Sequence, residues 1–314
     1  MTDIARHFRF EGQPPVMRLI FSFCIVVVAG TLFFWIFIWA GSFIFHTTPA
    51  GMIKLPGSNI TDFEGGVLRY VQFSQQIGIF MLPSFMLLWF MKSDFVPSSW
   101  LYNSPALTAG ILVFVLGLSM IPFLGFTAGI NEKMVLPGSL SGIQGWMKDK
   151  ENAASDLTKV LISSDNIPGL LLNLMLLAII PAFCEELLFR GVFQRIFIDL
   201  FRNHHLGVWI TAIIFSSIHL QFFGFLPRLI LGLVFGYLFY WSGNIWYPVM
   251  AHFINNAVPV VSAYLSGTGI PEPGSAGGQG YIIFPALSLI ISAVVLFCFR
   301  KESSRESPVS GDFS

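Results

Sequence analysis

Charge is what this chain has little of. Asp, Glu, Lys and Arg make up 11% of its 314 residues, less than half of the roughly 25% usual in a soluble domain. A water-exposed globule of this length is excluded. Acids and bases balance at 17 each and no Lys or Arg tract occurs, so there is no electrostatic footprint for nucleic acid. Cysteine is scarce as well. Cys24, Cys184 and Cys298 all lie in apolar runs, in no disulfide or zinc spacing, and read as small buried hydrophobes. There is no His-Glu-x-x-His helix of the zinc-protease kind. Ser139 and Ser141 of "PGSLSG" lack the strand-turn-helix setting that an exposed serine nucleophile requires. No internal repeat is visible.

What the chain has instead is apolar length. Hydrophobic residues make up 54% of it and mean hydropathy is +0.73, which marks an integral, multi-pass membrane protein. Its 34 Phe and 8 Trp suit lipid-facing and interfacial surfaces. About 20 apolar residues cross the hydrocarbon core, and the candidate spans are 19–45, 70–91, 105–128, 168–201, 206–223, 225–241, 245–265 and 281–299. The first run is too long for a signal-peptide core and reads as a retained span. "SGN" at 242–244 supplies the turn that splits an otherwise overlong apolar stretch. The expected fold is therefore an all-α polytopic membrane helix bundle of about eight transmembrane helices.

An even number of crossings puts both termini on one side. Arg6, Arg9 and Arg18 precede the first span, and Arg300, Lys301 and Arg305 follow the last, so the positive-inside rule makes both termini cytoplasmic. Lys92 and Arg202 then also face inward, and the loop 266–280, without Lys or Arg, faces outward. The outer segment 129–167 fits this rule poorly because it carries Lys133, Lys148, Lys150 and Lys159, which nearby acids balance. Trp146 points to a segment lying partly on the membrane surface. The tail "KESSRESPVSGDFS" has the composition of a disordered segment. The absence of organelle signals and long extensions points to a prokaryotic plasma (inner) membrane.

Against this background the ionisable groups at membrane depth stand out. Each costs roughly 2.5–3.5 kcal/mol even on lenient insertion scales, so such groups face a protein interior and mark function. They are Glu185, Glu186 and Arg190 in "PAFCEELLFRG", His219 in "FSSIHL", Arg228, and His252, which the polar but uncharged Asn255 and Asn256 accompany in "AHFINN". Counted from the turns at 202–205 and 242–244, Glu185 stands about 27 Å along its helix, His219 about 21 Å and His252 about 12 Å, so helix tilt can bring them to one layer. Glu186 and Arg190 are four apart and can pair, whereas Glu185 is rotated by about 100° and can point elsewhere. His252 and Asn256 share a face for the same reason. Pro181 and Pro248 each stand four residues before a polar group, where a missing backbone bond can open room. His46, His204 and His205 lie at span ends and read as interfacial, and Arg228, near the outer boundary, can snorkel.

The order Glu-Glu-x-x-x-Arg from Glu185 to Arg190, Phe-x-x-x-His from Phe215 to His219, and His-x-x-x-Asn from His252 to Asn256 resembles the CAAX protease and bacteriocin-processing (CPBP, or Abi) family of intramembrane proteases. The likeness covers roughly Pro168 to Val258, and the spans before it match only in being membranous. It implies a catalytic membrane core over 166–265, preceded by a cytoplasmic segment 1–18 and helices and loops over 19–165. An outer loop with the last helix (266–299) and a cytoplasmic tail (300–314) follow.

Two chemistries are open under this resemblance. In one, Glu185 is general base on a water that His219 helps position, His252 and Asn256 donate to the oxyanion, and Arg190 holds Glu186. In the other, Glu185, His219 and His252 bind zinc and leave a position for water. Direct glutamate catalysis with no cofactor is the favoured reading and zinc the alternative, and either carboxylate of the Glu185–Glu186 pair could be the base. Expected partners are membrane lipids and a peptide or membrane-protein substrate. The family name allows a prenylated tail, although nothing in the sequence reads a prenyl group. By resemblance the cavity should open to the cytoplasm or inner leaflet. Three rivals stand beside the protease: a transporter or proton relay, a non-catalytic bacteriocin-immunity protein, and a purely structural polar network. Transporters tend to repeat broken helices in both halves, whereas here the polar groups cluster in one half.

Overall fold

The computed structural model describes residues 13–54, 61–91, 101, 103–164, 166–266 and 282–306. The readings that rest on Arg6, Arg9, Lys92, most of the loop 266–280 and the end of the tail lie outside these residues, as does that on the side chain of Arg305.

Among the described residues the structure is helical, without strands. Helix α1 spans Pro15–Ile44, with proline at its first position, where no backbone N–H is needed. Helix α2 is continuous through Asp62–Gln75, a π-helical stretch Gln76–Met81, and Leu82–Phe90. It starts earlier than the expected residue 70 because Thr61 and Glu64 form a capping box: Glu64 accepts from Thr61 N at 2.8 Å and Glu64 N donates to the Thr61 hydroxyl at 3.3 Å. Such a reciprocal pair satisfies two otherwise orphaned N–H groups. Helix α3 covers Leu107–Glu132.

The segment expected to rest on the membrane surface contains helix α4, Ser141–Ile162, whose buried residues are Leu161 and Ile162 at its end. Helix α5, Ile167–Phe201, has π-helical stretches at Met175–Ile179 and Phe189–Phe193. The first lies just before Pro181, whose missing N–H interrupts the α ladder. Then come α6 (His204–Ser217), α7 (Phe225–Ser242), α8 (Trp246–Ser266) and α9 (Ile283–Glu306).

Among the described residues, six helical stretches are long and apolar enough to cross a membrane: Pro15–Ile44, Phe63–Phe90, Leu107–Glu132, Ile167–Phe201, Phe222–Ser242 and Ile283–Ser303. The protein is thus a polytopic helical membrane bundle. The other two expected spans are helices of a different kind. Helix α6 has 14 residues, about 21 Å at 1.5 Å per residue, and falls short of a core about 30 Å thick. Helix α8 has 21 residues but gives up apolar length to His252, Asn255 and Asn256.

Both are held by close packing. Gly207 of α6 sits against the backbone of Ile198 on α5, and Gly232 and Gly236 of α7 face Ala212 and Val208 of α6. Small residues four apart let helices approach closely where lipid supplies no hydrophobic drive. One core joins Val113 and Leu116 of α3 to Phe235 and Leu238 of α7, Ala251 of α8 and Phe299 of α9. A second joins Phe80 and Leu87 of α2 to Leu188, Val192 and Ile196 of α5 and to Phe215 of α6. Phe215 borders the site from this second core.

Candidate active site

The site is built from the middle of α5 outward. Glu186 and Arg190, one helical turn apart, form a fully buried ion pair, with Arg190 Nε 3.0 Å from Glu186 Oε2 and Nη1 donating to Oε1 at 3.1 Å. The third guanidinium nitrogen, Nη2, donates to the carbonyl of Gly232 on α7 at 2.9 Å. The cation also lies over the rings of Phe215 and Phe235, 5.0 and 5.5 Å from their centroids. Gln194, one further turn along, donates to the Gly236 carbonyl at 2.9 Å. The polar stripe of α5 is therefore stitched to the glycine stripe of α7.

His252 connects the two glutamates. Its ring stacks on Phe235 with centroids 5.0 Å apart and meets Phe215 edge-on at 5.9 Å. Nδ1 lies 2.8 Å from Glu186 Oε1, and Nε2 lies 3.8 Å from Glu185 Oε2. With the Nδ1 proton shared with Glu186, Nε2 is the nitrogen that faces Glu185. As the 100° rotation predicts, Glu185 takes no part in the Arg190 pair. Its Oε1 accepts from Gln76 Nε2 on α2 at 3.0 Å, which leaves Oε2 toward the gap before His252.

His219 follows the end of α6, and its ring meets Phe215 edge-on at 5.2 Å. Its Nδ1 lies 2.8 Å from the Phe215 carbonyl, which can only accept, so this nitrogen carries the proton and Nε2 the lone pair. Glu185, His252 and Arg228 are all within electrostatic reach of it. The next residue, Leu220, has a positive φ of 52°, uncommon for a branched side chain. Neighbouring helices hold this turn. Asn131 of α3 donates to the Phe222 carbonyl at 2.9 Å and accepts from Leu226 N at 2.7 Å, while Glu151 of α4 accepts from Phe223 N at 3.2 Å. Arg228 donates to Gln221 O at 2.9 Å and to the Gln221 side chain at 2.5 Å.

Of the sequence candidates, Glu185, Glu186, Arg190 and His252 are in one polar cluster, with His219 beside it. Asn256 is not bonded to that cluster; its Oδ1 accepts from Asn255 at 3.3 Å. His204 and His205 lie at the start of α6 as expected of span ends, His204 stacked on Tyr240 at 4.3 Å and His205 bonded to Tyr237 at 2.7 Å. Sequence reasoning missed Gln76 and Gln194. Gln194 was visible in principle, since it extends the spacing of Glu186 and Arg190 by four. Gln76 left only the fainter signal of an amide inside an apolar run.

The donor types, two imidazoles and a carboxylate, are ones that a metal accepts. Their arrangement does not suit one: among the described residues, no group of His, Cys, Asp and Glu side chains comes together in a way that could hold a metal ion. The carboxylate oxygen that Gln76 occupies is also spent.

With this geometry in hand, the likeness to known proteins becomes specific. Residues 167–258, which contain every one of these candidates except Gln76, match the family described as type II CAAX prenyl endopeptidase Rce1-like. A protein of Bacillus subtilis (strain 168) described as uncharacterized protein YpbD is 31% identical over 134 residues. That match takes in 41% of this chain and 64% of the relative, so it spans a little under two thirds of the relative's length. No solved structure matches the chain. The motif order, the cluster it builds and the match over the same residues agree: the segment 167–258 of this membrane protein is similar to Rce1-like endopeptidase domains, which is consistent with the CPBP family that its motifs resemble.

Proposed function

We propose that this protein is an intramembrane endopeptidase that hydrolyses peptide bonds of membrane-associated substrates with a water activated by Glu185. The observation that carries the reading is the sorting of two adjacent carboxylates. Glu186 is saturated by Arg190 and His252, whereas Glu185 keeps one oxygen facing His252 Nε2 across 3.8 Å. A structural ion pair needs only the first glutamate. A general base needs an oxygen that is not already committed.

In the reaction, Glu185 Oε2 takes a proton from water and the resulting hydroxide oxygen bonds to the substrate carbonyl carbon, whose π pair moves to oxygen. Collapse of that adduct re-forms the carbonyl and breaks the C–N bond, and the proton passes from Glu185 to the leaving amine. The tautomers at His219 and His252 leave both Nε2 atoms as acceptors; one water O–H goes to Glu185, and we assign the other to His219 Nε2. This changes the role expected of His252, whose Nδ1–H is spent on Glu186 and cannot serve the oxyanion. Asn256 remains the oxyanion donor: its Oδ1 is turned to Asn255, which leaves the Nδ2 hydrogens for substrate. Such a donor contributes about 3–4 kcal/mol to the transition state. No step is routed through a metal.

We place the protein in a prokaryotic plasma membrane with both termini cytoplasmic, and its substrate among peptides that reach the bundle from the membrane, with or without a lipid chain. Purified protein in detergent should cleave members of a quenched peptide library made with and without a prenylated cysteine. Glu185→Gln and His219→Ala should each lower kcat by about 10²–10⁴-fold, and activity should survive a zinc chelator. Loss on chelation with recovery on added zinc would replace the mechanism and keep the protease. Full activity in Glu185→Gln would remove Glu185 from it.

A further inference from the structure

Glu185 is held from outside the matched domain. Gln76 opens the π-helical stretch of α2, is 4% exposed and donates to Glu185 Oε1 at 3.0 Å. The opposite amide orientation would set oxygen against carboxylate oxygen, so the donor end is fixed by chemistry. The other end of the same amide, Oε1, is buried with no hydrogen-bond partner. A buried carbonyl left unpaired costs about 1–3 kcal/mol, and such a group in a native fold calls for a ligand or a water. The position itself is rigid. Two residues on, a Cβ at Gly78 would meet Phe34 N of α1 at 2.8 Å, so α1 and α2 are pressed together beside the widened turn that aims Gln76 inward.

An extended peptide entering a dry site must find acceptors for backbone N–H groups that water satisfied outside. The other buried side-chain oxygens without a hydrogen-bond partner are otherwise engaged among the described residues. Glu186 Oε2 lies 3.0 Å from Arg190 Nε, and Gln194 Oε1 abuts Gly236, where a Cβ would stand 2.9 Å from it. Gln76 Oε1 is the one beside Glu185. We propose that Gln76 is a positioning and substrate-binding residue of this site: its Nε2 fixes the Glu185 carboxylate with Oε2 toward the water, and its Oε1 accepts a substrate backbone N–H next to the scissile bond. The inference rests on the reading of Glu185 as the base.

The test uses the best-cleaved library peptide and its depsipeptide analogues, in which each N–H flanking the cleaved bond is replaced by oxygen one at a time. Wild type, Gln76→Met, Gln76→Leu and Glu185→Gln are compared, with thermal unfolding in detergent as the control for folding. Wild type should lose about tenfold in kcat/KM on one analogue. In a folded Gln76 variant that analogue and its parent should be cleaved within about twofold of each other, and kcat on the parent should fall about 10²-fold. A Gln76 variant that cleaves like wild type while Glu185→Gln is dead, or one in which the analogue penalty persists, overturns the assignment of Gln76 alone. Full activity in Glu185→Gln overturns the base. If neither Gln76 variant folds, wild type decides: a tenfold penalty confined to one analogue supports the contact, and no penalty on any analogue overturns it.

Discussion

Neither Arg190 nor Glu186 has any exposed surface, and a buried pair of this kind is judged by what happens when one half is removed. Arg190→Met leaves Glu186 as an uncompensated buried charge beside His252, and such losses cost about 3–5 kcal/mol. Arg190→Lys should recover little, because a single ammonium cannot meet both Glu186 oxygens and the Gly232 carbonyl as the guanidinium fork does. The double variant Arg190→Met with Glu186→Gln removes both charges and should unfold at a higher temperature than Arg190→Met alone. Detergent thermal melts of the three variants check this, and a double variant less stable than Arg190→Met would show that the pair is not what Arg190 is for. At this scale the sequence was most informative where the contact is local. The spacing of four between Glu186 and Arg190, and the 100° turn that frees Glu185, are properties of one helix. Gln76 meets Glu185 across 109 residues, and no local pattern says which helix will pack there.

Elements were legible where a long apolar run did the work and less so where packing did. Helices α1, α3, α5 and α9 follow their hydrophobic stretches. Helix α6 looks like a span by composition, yet it is short because the loop carrying His219 is closed off by Asn131, Glu151 and Arg228. What allows a short helix to stay in the bundle is the glycine contact with its neighbours. A Cβ at Gly236 would stand 2.8 Å from Val208 Cγ1 and 2.9 Å from Gln194 Oε1, closer than packed atoms tolerate. Gly236→Ala should therefore cost about 1–3 kcal/mol and lower the thermal midpoint. Gly125→Ala on α3, where nothing lies within 4 Å, should be neutral or slightly stabilising, since alanine is the better helix former by up to about 1 kcal/mol. Equal effects at the two glycines would mean that the α6–α7 approach does not limit stability.

At the scale of the whole molecule, what needs testing is which ends of the helices share a side. The turn between α5 and α6 stands beside the end of α7, through His204 on Tyr240 and His205 on Tyr237. The other end of α6 leads to the loop that Glu151 of α4 holds, with Trp146 packed on Phe222 at 5.2 Å. The turn near Arg202 and the surface of α4 are thus separated by the length of α6, about 21 Å, and we expect them on opposite sides of the membrane that α5 and α7 cross. Arg202 near the first and a helix with little buried surface at the second fit a cytoplasmic turn and an external α4. After Cys24 and Cys298 are replaced by alanine, Arg202→Cys and Gly243→Cys should react with a membrane-impermeant maleimide only from the cytoplasmic side, and Lys150→Cys only from outside. Labelling of Arg202→Cys and Lys150→Cys from one side would mean that α5, which separates them along the chain, does not carry it across, and that α6, which leads back to the loop held by α4, does not either. His219, Glu185 and the α4 strap would then share an aqueous face, and a peptide would enter the site from that face rather than through the bundle.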